Sequence, residues 1–290
     1  MEKFGVGKLF LTTAVLFVLL LALRLYQLTA LTDPATGFFT DHTNFTVILF
    51  YVLAIGSVLA VCALAYLSSG AGSECSADER DLFLGLSSVA FAVPLVMEGV
   101  NGFRTLHSYT TSFYSFKDAV SALGGYIYIV APVFALLAAL TMLLNGVSFL
   151  TGNLFIKKLK ILSLTPALWA FFMTIGYFKI TASYVKVSQL MLTIFADAFL
   201  MIFLFEYARF TSGVGIKDSI HAFYGTGLAA ALLLLATEIP NLAFTLFDKE
   251  KLVVHCEFRL YNLLAAVFVI AALAYAARSR KPAEEPAAEE

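Results

Sequence analysis

The chain is short of charge. Asp, Glu, Lys and Arg make up 13% of its 290 residues, where a soluble domain carries roughly 25%. With 60% hydrophobic residues and a mean hydropathy of +0.87, this deficit argues against a soluble fold on a single anchor. It points instead to an all-α, polytopic integral membrane protein. Tryptophan is nearly missing too. Trp169 stands alone against 28 Phe and 13 Tyr, so any interfacial aromatic belt is built from Tyr and Phe.

Specific chemistry is equally scarce. Gly70-Ala71-Gly72 lacks the Gly-Lys-Ser/Thr that completes a phosphate-binding loop, and no HExxH, Gly-x-Ser-x-Gly or paired intramembrane histidines occur. ATP-driven transport by this chain alone is therefore not expected, no cofactor is called for, and an enzyme is the less favoured class. A net charge of −1 leaves no footprint for nucleic acid, and no motif specifies an oligomeric state. The three cysteines are Cys62, Cys75 and Cys256, with no CxxC. The topology below puts them in a helix, in the cytoplasm and outside, so no intrachain disulfide is expected. His42, His107 and His255 fall in external loops, with Asp41, Cys256 and Glu257 nearby in sequence. They lack regular ligand spacing and read as solvated residues rather than a metal site.

A membrane span needs about 20 mostly apolar residues. Eight segments qualify: about 9–31, 44–68, 82–103, 125–150, 159–179, 187–208, 220–246 and 258–277. The first is too long for a signal peptide, contains Arg24 and has no convincing cleavage site. With eight spans, one side collects Lys3, Lys8, Arg80, Lys157, Lys158, Lys160, Arg209, Lys217, Arg278, Arg280 and Lys281. The other collects Arg104, Lys117, Lys179, Lys186, Lys249, Lys251 and Arg259. The richer side is assigned to the cytoplasm, with both termini. The segment Asp33 to Thr43 has no Lys or Arg, as an external loop should. Arg104 to Gly124 is expected as a long aromatic loop at headgroup level. Residues 279–290, charged and Pro/Ala-rich, read as a disordered cytoplasmic tail.

Two spans share a polar signature. Val96-Met97-Glu98-Gly99-Val100-Asn101 and Ala236-Thr237-Glu238-Ile239-Pro240-Asn241 each put a carboxylate and an amide three residues apart, on one helix face. Phe83-Leu84-Gly85 precedes Glu98 at the same distance as Phe223-Tyr224-Gly225 precedes Glu238, and both preceding loops are Ser/Gly-rich. The offset of about 140 residues predicts a parallel four-plus-four duplication, residues 1–150 against 151–278, related by a pseudo-twofold along the membrane normal.

Helix direction places Glu98, Glu238, Arg24 and Arg259 at about one depth near the external face. Gln27, Asn101, Asn241 and Asn262 stand around them. Two Arg and two Glu form a charge-neutral cluster, which burial favours. One reading is a polar pocket open to the outside, suited to a zwitterionic or anionic small molecule, since Arg offers carboxylate or phosphate a planar fork. The other is an ion-pair network that fixes helix packing. Asp197 lies deeper, at the end of a stripe with Gln189 and Thr193, as an access path or as interhelical glue; its counterpart by the 140-residue offset is Ser57. Pro240 is expected to break its span beside Glu238, and Pro94 lies one turn before Glu98.

The leading functional reading is secondary transport of a small polar solute across the lipid bilayer. It uses Glu98, Asn101, Glu238, Asn241, Arg24, Arg259 and Asp197. A second is a non-catalytic membrane subunit or sensor whose buried charges are structural. A third, resting on residue types alone, is a membrane enzyme acting on lipid phosphates, with Arg24 and Arg259 on the phosphate and a glutamate as acid/base.

Overall fold

A computed structural model describes residues 5–31, 39–40, 44–68, 80–113, 115–123, 125–153, 155–179, 187–214, 216–247 and 258–279, with the side chains of 123, 179, 187–189 and 216–219 outside that description. Regular structure among the described residues is helical, with no strand. The helices are α1 (Val6–Tyr26, prolonged by a π-helical turn Gln27–Leu31), α2 (Phe45–Leu67), α3 (Leu82–Ser112), α4 (Phe116–Leu123), α5 (Ile127–Thr151), α6 (Thr165–Lys179), α7 (Val187–Ser212), α8 (Ile216–Phe247) and α9 (Leu260–Arg278). Seven of them are long and apolar enough to cross a membrane: α1 with its π turn, α2, α3, α5, α7, α8 and α9. That count and composition mark a multi-pass membrane protein.

The eighth expected span, 159–179, is a shorter apolar helix, Leu162–Phe178. A 3-10 turn, Leu162–Leu164, leads into α6, whose 15 residues extend about 22 Å at 1.5 Å per residue. Pro166 explains the start, because proline fits only the first turn of a helix. Contacts at both ends show that α6 still runs antiparallel to its neighbours. Ser163 Oγ lies 3.3 Å from Ser212 Oγ at the end of α7, while the Tyr177 hydroxyl bonds that of Tyr261 at the start of α9.

Other cross-links define the same two ends of the bundle. One end joins Asp81 to Arg278 (2.9 Å), the Asp81 N–H to the Phe149 carbonyl (3.3 Å) and His221 Nδ1 to the Ala65 carbonyl (2.9 Å). The other joins Gln27 Nε2 to the Thr46 carbonyl (3.0 Å) and Glu238 to the Arg259 N–H (2.9 Å). Asn44 and Asp81 start α2 and α3 by accepting the N–H groups of Thr46 (3.0 Å) and Leu84 (2.7 Å), the role an N-cap serves for otherwise orphaned donors.

The long helices pack through small residues and aromatics. A Cβ added to Gly146 on α5 would lie 2.9 Å from the Gly85 carbonyl oxygen on α3, so both backbones meet at glycine, as membrane helices do where they approach closely. Phe91, Phe268, Tyr207 and Trp169 join α3, α9, α7 and α6 edge to face and in stacks. Ile48, Val52, Ile55 and Leu59, four of the residues α2 leaves exposed, form one apolar stripe at helical spacing. Outward apolar stripes need a hydrocarbon solvent.

Several expectations change. Residues Arg104–Ser112 continue α3 rather than form a loop. Their hydroxyls fold back on the helix, Thr105 onto the Asn101 carbonyl (2.9 Å) and Ser112 onto that of Ser108 (2.9 Å), which satisfies them without ending it. The rest of that segment makes α4, started by Ser115 and Asp118 in a reciprocal cap. Pro94 and Pro240 sit inside continuous α3 and α8. The helix contacts differ between the halves: α7 packs on α8, and its expected counterpart α2 also packs on α8, while α3 packs on α5 and α9. Cys62 is a free thiol. Cys75, Cys256, His42, His255, Asp41, Glu257, the Ser69–Gly72 loop, most of the Asp33–Thr43 loop and residues 280–290 lie outside the described residues.

Candidate functional site

Where α3, α5 and α6 meet the start of α9, the bundle holds a cavity of about 610 Å³. Thr105, Ile127 and Phe258 line it near the helix ends, and Pro94 and Met173 line it deeper. Among the described residues its charged lining residues are Glu98 and Arg259; its polar ones include Asn101, Tyr128, Tyr177 and Tyr261. Apolar surface from Met97, Phe172 and Phe258 completes the wall. The size falls within the range of roughly 300–1,000 Å³ typical of small-molecule sites.

Arg259 is held from its backbone. It immediately precedes α9, and its N–H donates to Glu238 Oε2. Its guanidinium Cζ lies 4.5 Å from the centre of the Tyr177 ring, a cation–π contact. Its Nη1 is buried with no hydrogen-bond partner among the described residues. Glu98 feels the charge of Arg259, yet no hydrogen bond joins the two among the described residues. Asp197 is 3% exposed, with Oδ2 buried and without a hydrogen-bond partner among the described residues, where the charges acting on it are Arg259 and Glu238. A single guanidinium therefore serves three carboxylates.

Glu238 differs from Glu98. It is 2% exposed, and it accepts from the Arg259 N–H (2.9 Å), from Asn262 Nδ2 (3.0 Å) and from the side chain of Asn241. It caps the start of α9 and ties α8 to it.

The structure thus gathers Glu98, Asn101 and Arg259 on one cavity wall, with Asp197 and the Glu238–Asn241–Asn262 group close to the same guanidinium. It places Arg24 elsewhere. Arg24 is buried, donates to Gln27 Oε1 (3.3 Å) and lies over the Phe50 ring at the α1–α2 seam. It is not among the charges acting on Glu98 or Asp197. Of the expected cluster of two Arg and two Glu, the contacts among the described residues bring Arg259 together with Glu98, Glu238 and Asp197, and place Arg24 at the α1–α2 seam. Equal depth on a helix does not fix lateral position, and α1 packs on α2 and α8 rather than beside the cavity. The stripe on α7 is partly described: Thr193 and Asp197 are buried, and the Gln189 side chain is outside the description.

Sequence reasoning missed Tyr177 and Trp169. Trp169 packs edge-on to Tyr261, with ring centres 5.7 Å apart, and its Nε1 is buried without a hydrogen-bond partner among the described residues. A tyrosine near a helix end resembles any belt residue, so only the helix arrangement reveals Tyr177. A further polar group, Asn145, was also missed. Its Nδ2 donates to Ser88 Oγ (2.8 Å) and Tyr207 OH (2.7 Å), linking α5, α3 and α7.

No protein-family model, curated protein or solved structure matches the chain.

Proposed function

We propose that the chain is a membrane carrier that binds a small polar solute in the cavity of α3, α5, α6 and α9 and moves it across the bilayer. One observation carries this reading. Glu98 and Arg259 wall a single cavity as opposite charges without a hydrogen bond between them, and Arg259 keeps a buried Nη1 with no partner among the described residues. Buried charge in a membrane is costly and usually has a partner or a task. In this reading all eight apolar helices cross, both termini are cytoplasmic and the cavity opens outward. The repeat enters through α3 and α8, 31 and 32 residues long, which run in one direction and bring their glutamates to the same arginine. Asp197 is the deeper carboxylate past which the solute leaves.

The test is substituted-cysteine accessibility at positions 98, 197 and 238, in a background lacking Cys62, Cys75 and Cys256. Intact cells and inverted vesicles are treated with an impermeant thiol reagent. Labelling of position 98 or 197 from both sides is expected; labelling of neither from the second side refutes alternating access. Position 238, tied to the start of α9, is expected to stay unlabelled from both. The hydrogen bonds of Glu238 favour a second reading, a membrane subunit or sensor with a structural network, and one-sided labelling throughout supports it.

A further inference from the structure

From the two charges on the cavity wall we infer the class of solute: a zwitterion with an apolar body, of the kind an α-amino acid with a large apolar side chain provides. The inference rests on the cavity being the solute site. A simple anion is a poor match. Glu98 stands on the same wall as Arg259, so an anion seated on the guanidinium is repelled by an adjacent carboxylate. A simple cation suits the carboxylates but leaves the buried Arg259 Nη1 without an acceptor among the described residues. A ligand carrying both charges satisfies both groups and leaves the site's net charge unchanged, which matters where charge is hard to solvate. Glu98 then accepts hydrogen bonds from an ammonium. The guanidinium, held over Tyr177, donates in plane to a carboxylate.

The rest of the lining specifies the body. Met97, Phe172, Met173 and Phe258 present apolar surface beside the charged pair, and methionines adapt to varied shapes. A small hydrophilic zwitterion such as glycine leaves this surface unfilled, so the site selects for bulk. Tyr261 lines the cavity and contacts Trp169. The chain's only tryptophan is thereby one residue from the solute and reports its arrival.

The experiment titrates the purified full chain in lipid nanodiscs, following Trp169 fluorescence. The probes are L-phenylalanine, 3-phenylpropanoate and 2-phenylethylamine, which differ in having both charges or one. Saturable binding of phenylalanine is expected, with each analogue weaker by at least tenfold. Glu98→Gln is expected to weaken phenylalanine tenfold or more and to leave 3-phenylpropanoate unchanged or tighter. Arg259→Gln is expected to do the converse for 2-phenylethylamine. Because Arg259 holds Glu238 through its backbone, its side chain is replaceable without removing that link; Arg259→Lys, which keeps the charge, controls for misfolding by retaining part of the phenylalanine affinity. Equal affinity for phenylalanine and 3-phenylpropanoate overturns the zwitterion and leaves an anion site in the same cavity. Absence of saturable binding by all three probes also overturns the class, while two-sided labelling at position 98 then still upholds the carrier reading.

Discussion

Glu98 and Glu238 share a sequence motif, and the structure predicts opposite consequences for the same change. Glu238→Gln removes the charge from a carboxylate that accepts from a backbone N–H, from Asn262 Nδ2 and from Asn241. Hydrogen bonds to charged groups contribute about 1.5–3 kcal/mol each, neutral ones about 0.5–1.5. A glutamine keeps one acceptor oxygen and turns an NH2 group toward a second donor. One charge-assisted bond is lost and another weakened, so the expected loss of stability is about 2–4 kcal/mol by that scale. Glu238→Ala leaves the donors without any acceptor and is expected to cost more, about 3–5 kcal/mol by analogy with breaking a buried charge pair. Glu98→Gln removes no hydrogen bond among the described residues and faces a cavity, so its effect is expected to stay within about 1 kcal/mol, as for surface changes. The assay is equilibrium unfolding of the detergent-solubilised protein, followed by the fluorescence of Trp169. Glu98→Gln as destabilising as Glu238→Gln, or a neutral Glu238→Gln, refutes the division into a cavity-facing and a structural carboxylate.

Five further substitutions, at four positions, test the bundle. Asp81 caps α3 through Oδ1 and meets the exposed Arg278 through Oδ2; Asp81→Ala is expected to cost about 0.5–2 kcal/mol for the cap, and Asp81→Asn, which still caps, under about 1 kcal/mol for the exposed pair, in melts at low and high salt. Asn145→Ala removes two interhelical hydrogen bonds, at about 0.6 kcal/mol each on average in a membrane, so unfolding is expected to shift by about 1 kcal/mol; no shift means that Ser88 and Tyr207 find other partners. Gly146→Ala forces α3 and α5 apart, since its Cβ meets the Gly85 carbonyl, and is expected to lower stability by about 1–3 kcal/mol. Gly56→Ala, with nothing within 4 Å of its Cβ, is expected to be neutral or stabilising by up to about 1 kcal/mol, which separates crowding from helix propensity in the same melts.

The helices were legible because hydrocarbon leaves the backbone few options. Satisfying every N–H and C=O inside one segment demands a helix, and span length follows from bilayer thickness. Long apolar runs such as Phe45–Leu67 were therefore placed almost to the residue, whereas polar extensions were not. The stretch from Arg104 to Ser112 looks like a loop by composition, yet it continues α3, with its hydroxyls turned back onto the preceding turn. Lateral neighbours were illegible for a different reason. Hydropathy gives depth along the normal and says nothing about position in the plane, so Arg24 and Arg259 looked equivalent although they belong to different seams.

The two glutamates show what that missing coordinate decides. Beside Glu238 a helix begins. Arg259 and the first residues of α9 carry N–H groups that no preceding turn can accept, and the carboxylate takes one of them together with the Asn262 side chain. Beside Glu98 the neighbouring helix is already under way. Added Cβ atoms on Gly99 and Gly102 would meet Leu136 and Pro132, inside α5, where the N–H groups are spent on the helix itself and a proline has none to give. Glu98 is therefore left facing the cavity and the guanidinium beyond it. An identical Glu-x-x-Asn motif becomes a helix cap on α8 and a cavity-facing acid on α3, because one neighbouring helix starts at that level and the other passes through it. The charge that faces the cavity is thus set by where α5 and α9 begin.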